Sequence, residues 1–258
     1  MKYTKGTLGL LVAILIMGTS MNAFGFLGFG NSVSWKEEIL LHDGQKIIVE
    51  RSQTFGGYPT IDSRERVILE EEWVFPVPGT GKKITWKTDH RNPPQGESLM
   101  LVLVGFFGDI PYIATSPAGC ISYNHWKRPN PPYVFFKYDG KEWRQISLAE
   151  FPSMLKESNV AVGRPDSNHR TGLLTVETIK EENRNLEPHL RQIIREPLDP
   201  KKMDCGEMIY DGNGGWIGLG WFKKQPSYEA CLKVCKRNKM SSEYCPCDEI
   251  FNKTNKEK

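Results

Sequence analysis

The chain has 258 residues, of which 39% are apolar and seven are tryptophan, so it has enough apolar material for a hydrophobic core. Its 34 lysines and arginines nearly balance 31 acidic residues, which leaves a formal net charge of +3. This composition excludes global disorder, which is typical of chains with few apolar residues and a high net charge. It also excludes the strongly basic surface on which nucleic acid-binding proteins depend, and we expect no nucleic acid partner.

The N-terminal segment has the pattern of a secretory signal. Lys2 and Lys5 precede an apolar run over residues 6–17, and residues 23–25 supply the small side chains that cleavage needs. We therefore predict a signal peptide over residues 1–25 and an extracytoplasmic location, in the periplasm, for the rest of the chain. An uncleaved membrane anchor is the alternative, because the uncharged stretch exceeds the ~20 residues that span a bilayer. Only in that alternative is the membrane a partner.

Residues 33–146 are predicted to form antiparallel strands joined by turns. Asp-Gly pairs at 43–44 and 139–140 lie between runs of β-forming residues, which is the strongest short sequence signal for a hairpin. The run at 99–107 is apolar almost throughout, as is typical of a strand buried on both faces. Turn signals recur along the region, so we expect an antiparallel sandwich or an open barrel. The predicted strands cover residues 34–41, 46–53, 67–75, 84–87, 99–107, 112–115, 120–124, 133–138 and 142–146.

Residues 147–200 are predicted to be a helical segment with a linker. Ser147 can cap the first helix, with Glu150 in the capping-box position. Residues 159–170 are polar and rich in turn-forming residues, which indicates a linker or mobile loop. The predicted helices cover residues 148–156, 175–184 and 188–195.

Residues 205–250 are predicted to form a cysteine-rich subdomain, and residues 251–258 a disordered tail. A glycine-rich turn at 211–215 separates two short strands, and a helix follows. These three elements cover residues 207–210, 216–222 and 228–237. The predicted fold class is therefore α+β: an antiparallel β-rich N-terminal sandwich or open barrel, short helices in 147–195, and a hairpin-plus-helix C-terminal region held by disulfides.

Three stretches of the sequence are distinctive: WKEEILLHDGQKIIVERSQTFGG, SPAGCISYNHWKRPNPPYVFFKYDGKEW and CGEMIYDGNGGWIGLGWF. Together they resemble a family of uncharacterised exported proteins of Gram-negative bacteria. The resemblance covers most of the chain after the predicted signal; it implies a bacterial envelope setting and no particular activity. The cysteine spacing of the C-terminal tail also resembles that of small WSC and PAN modules, which bind carbohydrate or protein.

The six cysteines are predicted to form disulfides, because an even number in an exported chain is typical of cross-links. A zinc site is the alternative, but the Cys-Pro-Cys spacing fits a closed zinc site poorly. A redox centre would favour Cys-x-x-Cys spacing at a helix start, and the chain has no such pair.

The spacing of the cysteines also predicts their pairing. Cys231 and Cys235 are one helical turn apart and share a face of the predicted helix. Cys245 and Cys247 point to the same side if the segment between them is extended like a strand. Two bridges between these segments are therefore expected, and the remaining two cysteines would join the β region to the tail. The predicted pairs are Cys235–Cys245, Cys231–Cys247 and Cys120–Cys205.

No catalytic, cofactor or metal site is predicted. The five histidines have no metal-ligand spacing, and the chain has neither the Gly-x-Ser-x-Gly nucleophile motif nor a P-loop. The acidic run at 70–72 could supply paired carboxylates for glycoside hydrolysis, but alternation along a strand favours a solvated face. The start of 211–215 is similar to a calcium loop, but no glutamate follows at EF-hand spacing, which favours a hairpin turn.

Aromatic residues beside two rigid loops form the predicted binding surface. Exposed aromatic side chains on such loops can anchor a protein partner or stack on a sugar ring. The alternative is that these side chains only cover the core. The predicted surface comprises Tyr210, Trp216, Trp221 and Phe222 beside the glycine-rich turn, with Tyr123 and Trp126 beside a proline-rich loop.

The preferred functional hypothesis is a non-enzymatic envelope protein that binds another envelope or secreted protein, as an accessory subunit or as an inhibitor of a secreted toxin. The absence of catalytic motifs, the cross-links and the balanced charge favour it. The alternatives are an enzyme acting on envelope glycans or lipids through dispersed residues, and a glycan-binding module. A cleft that gathers His125 with an acidic residue would favour the enzyme, whereas a flat aromatic ridge would favour sugar binding.

Overall fold

The computed structural model describes residues 32–56, 67–89, 99–166, 168, 172–199 and 205–251. Within these ranges the fold is α+β, with mostly antiparallel open sheets and a few short helices. The predicted signal peptide lies outside the described residues, as do the predicted tail from residue 252 onward, His90 and His169.

Nine strands build two large sheets among the described residues. In chain order they are β1 (Ser32–Leu40), β2 (Lys46–Gly56), β3 (Val67–Pro76), β4 (Lys83–Asp89), β5 (Leu99–Phe107), β6 (Ile110–Pro117), β7 (Val134–Tyr138), β8 (Trp143–Ile146) and β9 (Leu173–Leu174). The first sheet has the order β4-β3-β2-β1-β9, and the second has the order β5-β6-β7-β8. Every pairing is antiparallel except the two-residue pairing of β9 with β1. The predicted hairpins β1–β2 and β7–β8 are confirmed, and β3 and β4 form a further antiparallel pair.

The β1–β2 hairpin shows how the sequence determines this architecture. Side chains of β2 alternate between buried and exposed, and Ile47 and Phe55 lie on the buried face. The turn depends on Gly44, whose φ of 86° is in the left-handed region that favours glycine. The N–H of Leu41 then donates to the carbonyl of Gln45 at 2.8 Å and closes the hairpin.

The two large sheets pack face to face through one hydrophobic core. Trp73 and Phe75 of β3 are fully buried in it, together with Leu101 and Val104 of β5. Leu103 of β5 belongs to a second core cluster on the opposite face of the same sheet. β5 is therefore buried on both faces, as predicted. The two sheets share no strand, so the architecture is an open sandwich.

A short helix, α1 (Cys120–His125), replaces the strand predicted over 120–124. Gly119, with a φ of 92°, redirects the chain after β6. The N–H of Tyr123 then donates to the Gly119 carbonyl at 2.9 Å and forms the first helical turn. The strand prediction was wrong because a run of five residues has no period that separates strand from helix.

Parts of the segment from 147 to 199 cover the outer face of the second sheet, whereas β9 and the helix after it contact β1 of the first sheet. Phe151, Leu155 and Ile193 are buried in the second core cluster. The segment contains α2 (Val176–Asn183) and α3 (Pro188–Arg191). The prediction of α2 is confirmed, and the Thr175 side chain caps the helix by accepting from the N–H of Thr178.

The helix predicted over 148–156 is wrong, since these residues form turns. The predicted cap is present: the N–H of Ser147 donates to the Glu150 carboxylate at 3.0 Å. The N–H of Phe151 donates to the Ser147 carbonyl at 3.2 Å and completes one turn. Pro152 then has no N–H to continue the ladder, so the helix does not propagate.

The helix predicted over 188–195 is also too long, because it ends at Arg191. Glu157 and Gln192 form an isolated antiparallel bridge, and the N–H of Ile193 donates to the Lys156 carbonyl at 2.7 Å. These tertiary hydrogen bonds hold the chain extended after the first helical turn.

Residues 159–163 pack into the sandwich, which corrects the prediction of a linker or mobile loop over 159–170. Val160 is fully buried in the first core cluster. Asn159 joins the edges of the two large sheets: its Nδ2 donates to the carbonyls of Leu40 at 3.1 Å and Val104 at 2.8 Å. The polar composition of this segment therefore serves hydrogen bonds at the sheet edges.

The C-terminal subdomain, residues 205–251, has a core cluster of its own around the cysteines, Phe222 and Val234. Its predicted helix has the predicted bounds, and the Ser227 hydroxyl accepts from the N–H of Ala230 at 3.2 Å as its cap. The elements are β10 (Met208–Tyr210), β11 (Trp216–Gly218), α4 (Gly220–Lys223), α5 (Tyr228–Arg237) and α6 (Cys247–Ile250).

Two strand predictions in this subdomain are corrected. The strand predicted over 216–222 ends at Gly218, and the chain turns into α4, which directs Phe222 into the core. The segment around Cys247 is not strand-like, because α6 begins there directly after Pro246.

The three predicted disulfides are confirmed. The pairs are Cys120–Cys205, Cys231–Cys247 and Cys235–Cys245, and no described cysteine is free. Disulfides of this kind indicate an oxidising, extracytoplasmic compartment. Among the described residues, no helix has the length and apolar character needed to cross a bilayer.

Candidate functional site

Trp221 is the most exposed large apolar side chain among the described residues, with 64% of its surface accessible. It lies in α4, the single helical turn that follows β11. Successive side chains on a helix point about 100° apart, and the next residue, Phe222, is fully buried. Because Phe222 fixes the orientation of this turn, Trp221 is directed into solvent.

A groove with a volume of ≈ 520 Å³ adjoins Trp221. Its floor contains Gly206, Gly218 and Gly220, so no side chain covers the backbone there. The Trp221 ring lies against the floor, since a Cβ added at Gly218 would be 3.4 Å from Trp221 Cδ1. Four polar residues complete the lining. We call this site the Trp221 groove: Gly206, Glu207, Gly218, Gly220, Trp221, Lys223, Lys224 and Gln225.

Hydrogen bonds from α1 hold one wall of the Trp221 groove in place. Asn124 Nδ2 donates to the carbonyl of Gly206 at 3.0 Å, and its Oδ1 accepts from the N–H of Met208 at 2.9 Å. Arg128 Nη2 donates to the carbonyl of Cys205 at 2.9 Å. The Cys120–Cys205 disulfide links the same two segments covalently. The groove is therefore a preformed feature, which reduces the entropy lost when a ligand binds.

The polar rim of the Trp221 groove carries charges of both signs. Lys223 Nζ and Glu207 Oε2 are 2.5 Å apart. The hydrogen bond and the charge of Lys223 lower the pKa of Glu207, which keeps this carboxylate ionised. Gln225 Nε2 donates to the carbonyl of Trp221 at 2.8 Å. An apolar ring beside a hydrogen-bonding rim is the composition of a protein-binding patch.

The other predicted aromatic residues near the glycine-rich turn do not join Trp221. Tyr210 and Trp216 are half-buried and contact each other, with ring centroids 5.9 Å apart. Tyr210 also meets Tyr244 edge to face at 5.1 Å. Phe222, predicted to lie on the surface, is a core residue. This part of the predicted surface is therefore reduced to Trp221 with a packed aromatic cluster behind it.

The predicted aromatic residues near the proline-rich loop have structural contacts. Tyr123 is only 6% exposed, and the Arg128 guanidinium lies 4.9 Å from the centre of its ring. Trp126 is half-buried and packs edge to face against Phe136, with ring centroids 6.2 Å apart. Burial removes Tyr123 from the predicted surface, and Trp126 contributes to the core between the sheets.

A buried charged cluster that sequence reasoning missed lies between the first sheet and residues 161–163. Arg51 is 2% exposed and pairs with Glu37, with Nη1 and Oε1 3.1 Å apart, and with Glu71 through its Nε. The rings of Trp35 and Trp73 lie 4.7 and 4.1 Å from the guanidinium carbon. Burial raises the pKa of Glu37, and the Arg51 charge opposes this effect.

The Arg51 cluster has a structural role. Its guanidinium also donates to the carbonyls of Ala161, at 2.7 Å, and Gly163. Glu37 Oε2 accepts from the N–H of Ala161 at 2.9 Å. The cluster thereby fastens residues 161–163 to the first sheet. One sequence signal could have found the cluster. Along their strands, Glu37, Arg51 and Glu71 occupy the alternate positions whose side chains are buried.

The described histidines lie in three separate places. His42 is exposed in the β1–β2 turn, and His125 contacts the Trp126 ring at 5.9 Å between centroids. His189 Nδ1 is 3.2 Å from a Glu187 carboxylate oxygen, and burial lowers the pKa of His189. Within the described ranges His125 forms no ion pair with a carboxylate.

The Asp211 turn is the predicted glycine-rich hairpin turn. Asp211 Oδ1 accepts from the N–H of Asn213 at 2.7 Å and of Gly215 at 2.9 Å. The carboxylate thus closes the turn that joins β10 to β11. In the described part of the chain, the side chains close enough together to ligate one metal ion are Cys235, Cys245 and Cys247. Their sulfurs are engaged in disulfides.

Comparison of the chain with protein-family models, with curated proteins and with solved structures finds no match.

Proposed function

We propose that this chain is an exported protein of the bacterial envelope, located in the periplasm, that binds another envelope or secreted protein through the Trp221 groove. It acts as an accessory subunit or as an inhibitor of a secreted toxin. The single observation that carries the proposal is the exposure of Trp221, at 64%, on a turn that disulfides and core packing hold rigid.

The physical argument for a protein partner rests on the energy of burying tryptophan. Tryptophan is enriched among the residues that dominate binding energy in protein interfaces, where it fills a desolvated pocket surrounded by polar contacts. Trp221 has this environment on one side already, because Glu207, Lys223 and Gln225 surround it. A partner that covers the ring would complete it.

The aromatic geometry favours a protein over a glycan. A flat ridge of several coplanar rings would suit successive sugar units, but Tyr210 and Trp216 are tilted by 57° relative to each other and half-buried. Trp221 thus presents a single ring. One exposed ring beside charged and amide groups suits the anchor of a protein interface.

Site-specific photocrosslinking in intact cells tests the proposal. A benzophenone amino acid at Lys224, in the rim of the groove, should crosslink to one protein species. The matched control is the same probe at Ile48, which is 40% exposed on the first sheet. Crosslinking at Lys224 should be lost when Trp221→Ala is added, without loss of folding, because the ring makes few core contacts.

Two outcomes would overturn the proposal. One is an identical crosslinking pattern at both positions. The other is a Lys224 crosslink that Trp221→Ala leaves unchanged. Carbohydrate attached at the Lys224 probe in place of protein would favour the glycan-binding alternative.

A further inference from the structure

The two disulfides of the C-terminal tail lie in contact with each other. Cys247 Sγ, bonded to Cys231, is 3.6 Å from Cys235 Sγ and 3.5 Å from Cys245 Sγ, which form the second bridge. Sulfur atoms of both bridges therefore form one cluster.

We propose that these two bridges are a thiol–disulfide exchange centre. When an external thiol opens the Cys235–Cys245 bridge, Cys235 attacks the Cys231–Cys247 bridge and Cys231 becomes the free thiol. This reactivity does not depend on the Trp221 groove. Thiol–disulfide exchange proceeds by attack of a thiolate on a disulfide sulfur. The cluster places a potential nucleophile, Cys235, beside a disulfide sulfur, Cys247.

Burial decides where an external thiol enters. Cys231 and Cys247 are fully buried, and Cys235 is 6% exposed. Cys245 is half-buried, so it is the most accessible residue of the four. An external thiolate therefore attacks Cys245 Sγ, a mixed disulfide forms there, and the electron pair of the broken bond leaves on Cys235 Sγ.

The second step is internal. The Cys235 thiolate attacks Cys247 Sγ, the Cys235–Cys247 bond forms, and the Cys231–Cys247 bond breaks with its electron pair on Cys231 Sγ, which then takes a proton. A second external thiolate releases Cys245 from the mixed disulfide. In total, two external thiols are oxidised to one disulfide and one protein disulfide is reduced, so the electrons balance.

Loop entropy allows both products. The native Cys231–Cys247 bridge has a sequence separation of 16 residues, and the Cys235–Cys247 bridge would have a separation of 12. Closure entropy depends only weakly on such a difference in length. Once Cys245 is removed from pairing, some molecules should carry the Cys231–Cys247 bridge and others the Cys235–Cys247 bridge.

The Cys245→Ser variant tests this directly. Trypsin separates residues 225–233, which contain Cys231, from residues 234–236, which contain Cys235, and both from the peptide 240–253. After acid quenching and alkylation, the non-reduced map should contain both Cys231–Cys247 and Cys235–Cys247 peptides, in a ratio between about 1:10 and 10:1. A map with Cys231–Cys247 alone and fully alkylated Cys235 would overturn the proposal.

The wild-type protein provides a second test that does not depend on folding of a variant. Limited reduction with a phosphine, followed by alkylation, should yield a singly reduced species labelled on both Cys231 and Cys245, as well as one labelled on both Cys235 and Cys245. Label confined to Cys235 and Cys245 would overturn the proposal. The matched control is Cys205→Ser, which leaves Cys120 unpaired outside the sulfur cluster and should keep both tail bridges native.

Discussion

Replacement of Arg51 by methionine should destabilise the protein strongly, because Arg51 is the cation of a cluster buried between the first sheet and residues 161–163. The change removes the counter-charge of Glu37 and of Glu71, which are 0% and 3% exposed. It also leaves the carbonyls of Ala161 and Gly163 without the donors they have now.

The magnitude follows from the burial of the cluster. Removal of one partner from a buried ion pair costs about 3–5 kcal/mol, mainly because the remaining charge has no compensation. We therefore expect Arg51→Met to lower the free energy of unfolding by about 3–5 kcal/mol. The matched control is Lys83→Met, which removes the exposed partner of Glu50, 3.1 Å away. Exposed pairs contribute about 0–1 kcal/mol.

Urea denaturation followed by far-ultraviolet circular dichroism measures both variants on the same scale. Addition of Glu71→Gln to Arg51→Met should restore part of the loss, because it removes one of the two buried carboxylate charges that Arg51 neutralises. The reasoning would be refuted if Arg51→Met lowered the free energy of unfolding no more than Lys83→Met does. It would also be refuted if Glu71→Gln destabilised the Arg51→Met variant as much as it destabilises the wild-type protein.

Three further outcomes are expected. Simultaneous replacement of Cys120 and Cys205 by alanine should lower the free energy of unfolding by about 4–5 kcal/mol in the chain-entropy model, because their sequence separation is 85 residues; an unchanged urea midpoint would contradict this. Burial lowers the pKa of His189 below its ordinary 6.5, so at acidic pH the unfolded chain binds more protons than the folded chain. The free energy of unfolding should therefore fall as the pH drops below 6.5, and His189→Gln should weaken this pH dependence in thermal melts recorded over a pH series. Gly105→Ala should destabilise the protein by about 1–3 kcal/mol through overpacking, because the new Cβ would be 2.5 Å from Leu155 Cδ2; full wild-type stability would show that Leu155 moves without cost.

Local sequence signals predicted the elements whose structure depends on local contacts. The Asp-Gly turn at 43–44 acts within a few residues, so its consequence could be derived from the chain alone. The pairing of Cys231 and Cys235 with the tail followed from helical spacing. The strand-like geometry assumed around Cys247 was wrong, yet two bridges join α5 to the tail as predicted, because Cys231 and Cys235 share one face of α5.

The features that sequence reasoning missed depend on distant contacts. The donors of Arg51 reach carbonyls 110 and 112 residues away, and no local pattern reports such a distance. The division between Trp221 and Phe222 depends on where β11 ends and α4 begins. A strand over 216–222 gives the two side chains opposite faces without saying which face is buried, and the packing of Phe222 against the cysteine core decides it.

Amine labelling in intact envelopes tests most directly the central claim that a partner covers the Trp221 groove. Lys224 lies in the rim of the groove, and Lys141 is exposed in the β7–β8 turn as an internal reference. We expect the ratio of Lys224 to Lys141 labelling to be lower in envelopes than in the purified protein, and Trp221→Ala to restore the ratio of the purified protein. An identical ratio in envelopes and in the purified wild-type protein would contradict this claim.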